Sequence, residues 1–192
     1  MKSRWPTLLA VLLAGCTAGP PPTVLPDMTF ANMQPIRVNA AQVVVVDAYK
    51  SPLKPPDVEY LFATPPDVAA QKLLKRQLVA AGSADELRAV IEEASVVRTD
   101  LPAHSSLTGF LMQAPAVELK AVMKVRFELV DPAAPDIVLG HAEVIAHREK
   151  TIDEGLSPDG RARAWFDLTE ELMDNLDTGM QSIVKKTFGV KD

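Results

Sequence analysis

The sequence predicts an α+β fold: a mixed, mostly antiparallel four-stranded sheet with two helices packed on one face, in the order β-α-β-β-β-α. Three segments predict it. Val117–Val130 alternates apolar and polar residues, as a strand with one buried face does. Ile36–Ala48 contains four consecutive valines, which favour a strand. Ser157–Phe188 repeats apolar residues at helical spacing, which predicts a long amphipathic helix.

The first half of the domain predicts one strand followed by one helix. The unbroken valine run in Ile36–Ala48 predicts a central strand buried on both faces. Thr64 is predicted as the N-cap of the helix, because prolines and then Asp67 follow it. Apolar residues recur at helical spacing up to Gly82, which is predicted to end the helix.

The second half predicts three strands and the second helix. Leu87–Arg98 fits either an amphipathic helix or a strand with an irregularity, and we favour the strand. Val117–Val130 is predicted to turn through Asp131–Asp136 and to return as Ile137–Glu149. The last helix is predicted to begin at the Ser157-Pro158-Asp159 segment and to stop at Gly189.

The composition narrows the classes of protein that the chain can belong to. In 192 residues, 47% hydrophobic and 23% charged side chains are typical of a globular domain. The net charge of −5, with 20 basic against 25 acidic residues, argues against nucleic acid as the main partner. A single cysteine excludes an internal disulfide and a zinc site with several cysteines.

The N-terminus has the pattern of an export signal. Lys2 and Arg4 precede the apolar run at 7–13, which is shorter than the roughly 20 residues that a membrane-spanning helix needs. The run ends in Leu13-Ala14-Gly15-Cys16. These four residues resemble the lipobox of bacterial lipoproteins, in which a branched apolar residue and two small residues precede the cysteine that receives the lipid.

This resemblance implies a location and a covalent modification. It implies that residues 1–15 are a signal peptide cleaved between Gly15 and Cys16. It also implies diacylglycerol on the Cys16 sulfur and an acyl group on the new amino terminus, which together anchor the protein durably in a membrane. Thr17 in place of an aspartate implies the periplasmic face of the outer membrane. The alternatives are a plain secretory signal with a coincidental cysteine, or a buried apolar start of the domain.

Residues 16–27 are predicted to form a tether, and residues 28–192 a single domain. Four prolines in the tether favour an extended polyproline II spacer of about 3.1 Å per residue. The layout of lipobox, proline-rich tether and α+β domain is similar to that of several outer-membrane assembly and transport-auxiliary lipoproteins.

No group of residues predicts catalysis, a metal site or a bound cofactor other than the lipid. His141, Glu143 and His147 share one strand face, but about 20 Å of strand separates the two histidines, so we predict a solvated, charge-balanced surface. Ser105 and Ser106 lie beside His104, yet adjacent residues on a loop rarely point at each other, and no nucleophile-elbow motif is present.

Two loops are candidate contacts with a protein partner. The proline-rich loop 49–66 carries Tyr49, Tyr60 and Phe62, and aromatic side chains often anchor interfaces. The loop 100–115 carries Phe110 and Leu111 between polar or small residues. The alternative for both loops is that they pack these side chains against the core of their own domain.

The sequence therefore predicts a membrane-anchored protein with a non-catalytic accessory or structural role in envelope assembly or transport, acting through an envelope protein partner. A first alternative is a module that binds a small apolar ligand or lipid, which requires an internal cavity lined by residues such as Met123, Phe127 and Leu172. A second alternative is an enzyme, which requires His104 to converge with His141 or with an acidic residue.

Overall fold

The computed structural model describes residues 24–102 and 115–190. Six strands, three α-helices, a 3₁₀ turn and a π-helical turn occur in these ranges. In chain order they are β1 (Ile36–Val38), β2 (Gln42–Asp47), the 3₁₀ turn (Glu59–Leu61), α1 (Pro66–Gln77), β3 (Leu78–Ala80), β4 (Glu86–Leu101), β5 (Ala116–Asp131), β6 (Ala134–Asp153), α2 (Pro158–Gly179), the π-helical turn (Met180–Val184) and α3 (Lys185–Phe188).

The predicted fold class is confirmed. The sheet has the order β2-β4-β5-β6, with β2 parallel to β4 and the other neighbours antiparallel. Helix α1 packs against β2 and β4, α2 packs against β5 and β6, and the two helices contact each other. The core-facing residues of β5 are buried, as the alternation predicts: Val117, Leu119, Ala121, Met123, Val125 and Phe127.

The first predicted strand is wrong in extent and in place. Ile36–Ala48 divides into β1, which pairs in parallel with β3 in a small separate sheet, and β2, which joins the main sheet. Strand β2 lies at the edge of the main sheet rather than at its centre, and Val46 is 37% exposed. The crossover through α1 returns the chain to the inner side of β2, so β4 takes the central position.

The boundaries predicted for the first helix are also wrong. Helix α1 begins at Pro66, with Pro65 rather than Thr64 at the N-cap position, and it ends at Gln77. Gly82 lies beyond β3, where a Cβ atom would come within 2.7 Å of the backbone of Asn39. Gly82 therefore permits two backbone segments to pass closely and does not cap the helix.

The second half of the chain follows the prediction more closely. The favoured strand at Leu87–Arg98 is confirmed within β4, and its irregularity is a register shift between Ile91 and Glu93. The hairpin turn is shorter than predicted, because β5 ends at Asp131 and β6 begins at Ala134. Helix α2 begins at Pro158, within the predicted segment, and the Ser157 side chain caps it by accepting a hydrogen bond from the Gly160 N–H at 3.1 Å.

The C-terminal helical segment also ends where the sequence predicts. It continues from α2 through the π-helical turn and α3, and Gly189 follows its last residue. Within the described ranges, none of the helices combines the length and the apolar character that a membrane crossing requires.

Candidate functional site

A pocket of about 220 Å³ lies at the end of the sheet where α2 begins. Three parts of the fold form it: the 3₁₀ turn, one end of the sheet, and the first two turns of α2. At this end of the sheet lie the C-terminal ends of β4 and β6 and the N-terminal end of β5. Its lining residues are Val58, Leu61, Arg98, Val117, Leu119, Ile152, Asp153, Glu154, Arg161 and Trp165.

The pocket combines an apolar wall with charges of both signs. Val58, Val117 and Leu119 are buried in this wall. On the charged side, the Arg98 guanidinium lies 2.8 Å from the Asp100 carboxylate and 3.4 Å from that of Glu154. The Arg161 guanidinium donates to the Leu156 carbonyl at 3.5 Å. Such a pocket can receive an apolar side chain and form ion pairs with charged groups beside it.

The wall of the pocket that carries Leu61 is fixed by a buried carboxylate. Glu59 is 1% exposed, and its Oε1 accepts hydrogen bonds from the Tyr49 hydroxyl at 2.8 Å and from the Ser51 hydroxyl. Its Oε2 accepts from the Val96 N–H of β4 at 3.2 Å. Three donors thus satisfy one buried carboxylate and hold the loop against the sheet.

This carboxylate changes the titration of two neighbouring groups. The pKa of Tyr49 is raised, first by burial and then by the hydrogen bond to Glu59 and its negative charge. The hydroxyl therefore stays protonated and remains a donor. The pKa of Asp67 is raised by burial, and the charges of Asp47 and Glu59 add to this effect.

Two leucines of the same loop point into solvent. Leu61 is 51% exposed at the pocket, and Leu53 is 66% exposed. The backbone φ of Leu53 is 56°, in the left-handed region that residues other than glycine rarely adopt. An exposed apolar side chain on a strained backbone position is typical of loops that carry a function.

The structure places the predicted aromatic contacts of this loop mostly inward. The Phe62 ring is 5% exposed and stacks on Trp165, with 4.8 Å between the ring centroids. Tyr49 and Tyr60 are half-buried. The burial of Phe62 favours the alternative in which the loop packs its own rings, while its leucines face outward. The other predicted site residues, Gly15, Cys16, Phe110 and Leu111, lie outside the described residues.

The predicted charge-balanced face of the sheet is present. On the face away from the helices, the Lys124 ammonium lies 3.0 Å from the Glu143 carboxylate, and that of Lys120 lies 3.7 Å from Glu149. His141 and His147 are exposed on this face. No group of three or more side chains placed to bind a metal ion is found among residues 24–102 and 115–190. His104, Ser105 and Ser106 lie outside these ranges.

The cavity required by the apolar-ligand alternative is filled with protein. Met123, Phe127 and Leu172 are fully buried in the packed core. Two depressions of about 470 and 440 Å³ lie elsewhere, one beside the segment 26–33 and one beside Phe188. The first is lined by acidic side chains without a basic one, and the second has no ionisable side chain in its lining.

Sequence reasoning missed the charged residues of the pocket. Arg98 and Glu154 are 56 positions apart in sequence, and only the pairing of β4, β5 and β6 brings them together. Glu59 was missed as well, because its three donors come from Tyr49, Ser51 and the Val96 N–H, and the last is 37 positions away in sequence.

No family model matches the chain, and no curated protein matches it. Among solved structures, it is similar to rare lipoprotein B from Shewanella oneidensis (14% identity, 73% of this chain and 92% of that chain, TM-score 0.39). It is also similar to a minor lipoprotein from Acinetobacter baumannii (10% identity, 81% and 99%, TM-score 0.37). A third is a protein from Xanthomonas campestris (12% identity, 86% and 94%, TM-score 0.37). The first two are bacterial lipoproteins, but with TM-scores below 0.5 none of the three supports an argument about function.

Proposed function

We propose that this chain is a lipid-anchored accessory protein on the periplasmic face of the outer membrane, and that it binds an envelope protein through the pocket and its Leu61 wall. The sequence Leu13-Ala14-Gly15-Cys16 supports the anchor. The observation that carries the binding role is Leu61, half exposed beside an apolar wall and fixed in place by the buried Glu59. Rigid placement of an apolar contact lowers the entropy cost of association.

The size of the pocket favours a protein partner over a small molecule. Pockets for drug-sized ligands have volumes of about 300–1,000 Å³, whereas this one has about 220 Å³. It has room for one or two side chains of a partner. Arg98, Glu154 and Arg161 supply the polar rim that protein interfaces have.

Photocrosslinking in the native host tests the binding role. A photoreactive amino acid at Leu61 of the full-length protein should give a specific adduct with an envelope protein. The same amino acid at Val79, which is also exposed but lies on β3, is the matched control and should not. Equal adducts from both positions, or none from Leu61, would contradict the proposed site.

Membrane fractionation tests the anchor separately. The wild-type protein should fractionate with the outer membrane, and a Cys16→Ala variant should be released from it because the lipid has no attachment point. If the variant stays fully in the outer-membrane fraction, the lipid assignment is wrong, whatever the crosslinking shows.

A further inference from the structure

Strand β6 presents a long free edge. It has 20 residues and, among the described residues, pairs only with β5. Ile145, near its middle, is 48% exposed, and the segment 137–139 at its start is also apolar and exposed. A long edge with exposed apolar side chains is a template for pairing with another strand, and monomeric proteins usually disrupt such an edge.

The register identifies the groups that face outward along this edge. Pairing between β5 and β6 has no irregularity from Gly140 to Asp153. The Glu154 N–H donates to the Pro115 carbonyl at 2.9 Å, so even-numbered residues direct their backbone groups to β5. Odd-numbered residues therefore direct theirs to the free edge. Consistently, the His147 carbonyl accepts a hydrogen bond from the Asn175 side chain of α2 rather than from β5.

The residues whose backbone groups face the free edge also have exposed side chains, and these form a self-complementary series: His141, Glu143, Ile145, His147 and Glu149. We propose that two copies of this chain pair antiparallel through β6, with Ile145 of one copy opposite Ile145 of the other. In this register Glu143 of each copy faces His147 of the other, and His141 faces Glu149. Each imidazole can donate a hydrogen bond to the carboxylate opposite it.

The existing contacts of these residues are compatible with the pairing. Glu143 and Glu149 each have a lysine partner in their own chain, and a second carboxylate oxygen can accept from the histidine. The His147 carbonyl has a second lone pair beside the one that Asn175 uses. The five alternate positions span about 27 Å of strand, and the product is one continuous sheet of both copies.

A second copy fits this edge better than an unrelated strand. An unrelated strand would have to match two carboxylates, two imidazoles and one central apolar residue at alternate positions. A second copy supplies this pattern automatically in a two-fold arrangement, which is the commonest symmetry of protein dimers. The dimer rests on the free edge of β6 and the binding role rests on Leu61, so either proposal can fail without the other.

Disulfide trapping tests the register in the full-length chain, purified in detergent with Cys16→Ser so that the introduced cysteine is the only one. Ile145→Cys should give a disulfide-linked dimer on mild oxidation, because the two sulfurs meet at the two-fold axis. Glu143→Cys alone should not, because its two copies lie about 13 Å apart. Adding His147→Cys to Glu143→Cys should restore the dimer. Efficient crosslinking of Glu143→Cys alone would refute the register.

Sedimentation velocity tests the dimer without crosslinks. The protein should sediment as a dimer, and Ile145→Asp should make it monomeric by placing two carboxylates together on the axis. Val46→Asp changes a similarly exposed residue on the opposite edge strand and should leave the dimer intact. A protein that is monomeric at all accessible concentrations, or a dimer that only Val46→Asp dissociates, would overturn the proposal.

Discussion

Replacing Glu59 by alanine should lower the free energy of unfolding by about 2–4 kcal/mol. The loss of the carboxylate leaves the buried Val96 N–H without its side-chain partner, which costs about 1–3 kcal/mol. The Tyr49 and Ser51 hydroxyls also lose their acceptor, but they are only part-buried and can turn toward water, so each costs less. The alanine variant no longer buries a charge, and this gain offsets part of the total loss of stability.

Urea unfolding followed by circular dichroism measures this difference. The matched control is Glu170→Ala, an exposed glutamate of α2, which should change the free energy of unfolding by less than about 0.5 kcal/mol. Glu59→Gln should be intermediate, because an amide oxygen can still accept from the Val96 N–H. A Glu59→Ala protein as stable as the Glu170→Ala control would refute the view that this carboxylate holds the loop.

The partnership between Tyr49 and Glu59 adds a pH dependence with a definite sign. Burial and Glu59 raise the pKa of Tyr49, so the unfolded chain loses this proton first as the pH rises. The stability due to protonated Tyr49 is complete below about pH 10 and is lost above it. Tyr49→Phe should be less stable than wild type at pH 7, and the difference should shrink in urea titrations above pH 10. A constant difference would contradict this account.

Three further substitutions test the packing and the electrostatics. Gly179→Ala should lower the melting temperature, because its Cβ would collide with Val144, and Val144→Ala in the same chain should recover part of the loss. Asp67→Asn should raise stability in urea unfolding at pH 7 but not at low pH, since the pKa of Asp67 is raised and its charge opposes folding only when ionised. Phe62→Leu should cost about 0.5–1.5 kcal/mol beyond its lost area and alter the near-ultraviolet circular dichroism of Trp165.

The parts of the fold that the sequence predicted are those governed by one-sided burial along a single element. Val117–Val130 has a period of two because one face meets the helices and the other meets water. Its alternation survives in the structure up to Phe127 and is lost at the register shifts next to Val130. The start of α2 is equally local, since the Ser157 side chain that caps it accepts from an N–H only three residues away. Local rules of this kind need no knowledge of the rest of the chain.

The errors arise where distant segments decide the outcome. The valines of β2 look like a central strand, yet the crossover places β4 between β2 and β5. Gly82 looks like a residue that ends a helix, but glycine is needed there because the chain passes close to the backbone of Asn39. The sequence did not predict the pocket for the same reason, because its charged residues meet only after three strands have paired. Sequence patterns indicate well which residues are buried, but they indicate poorly which elements become neighbours.

The proposed dimer and the proposed binding site have a geometric connection that separates two kinds of partner. Asp153, at the end of β6, lines the pocket, and the exposed apolar segment 137–139 lies at the start of the same strand. Antiparallel pairing about Ile145 brings the start of one β6 beside the end of the other. A Leu61 adduct that contains a second copy and disappears in Ile145→Asp therefore identifies the neighbouring protomer as the occupant. An adduct with a different protein that persists in Ile145→Asp identifies a separate envelope partner, which reaches the pocket without help from the dimer.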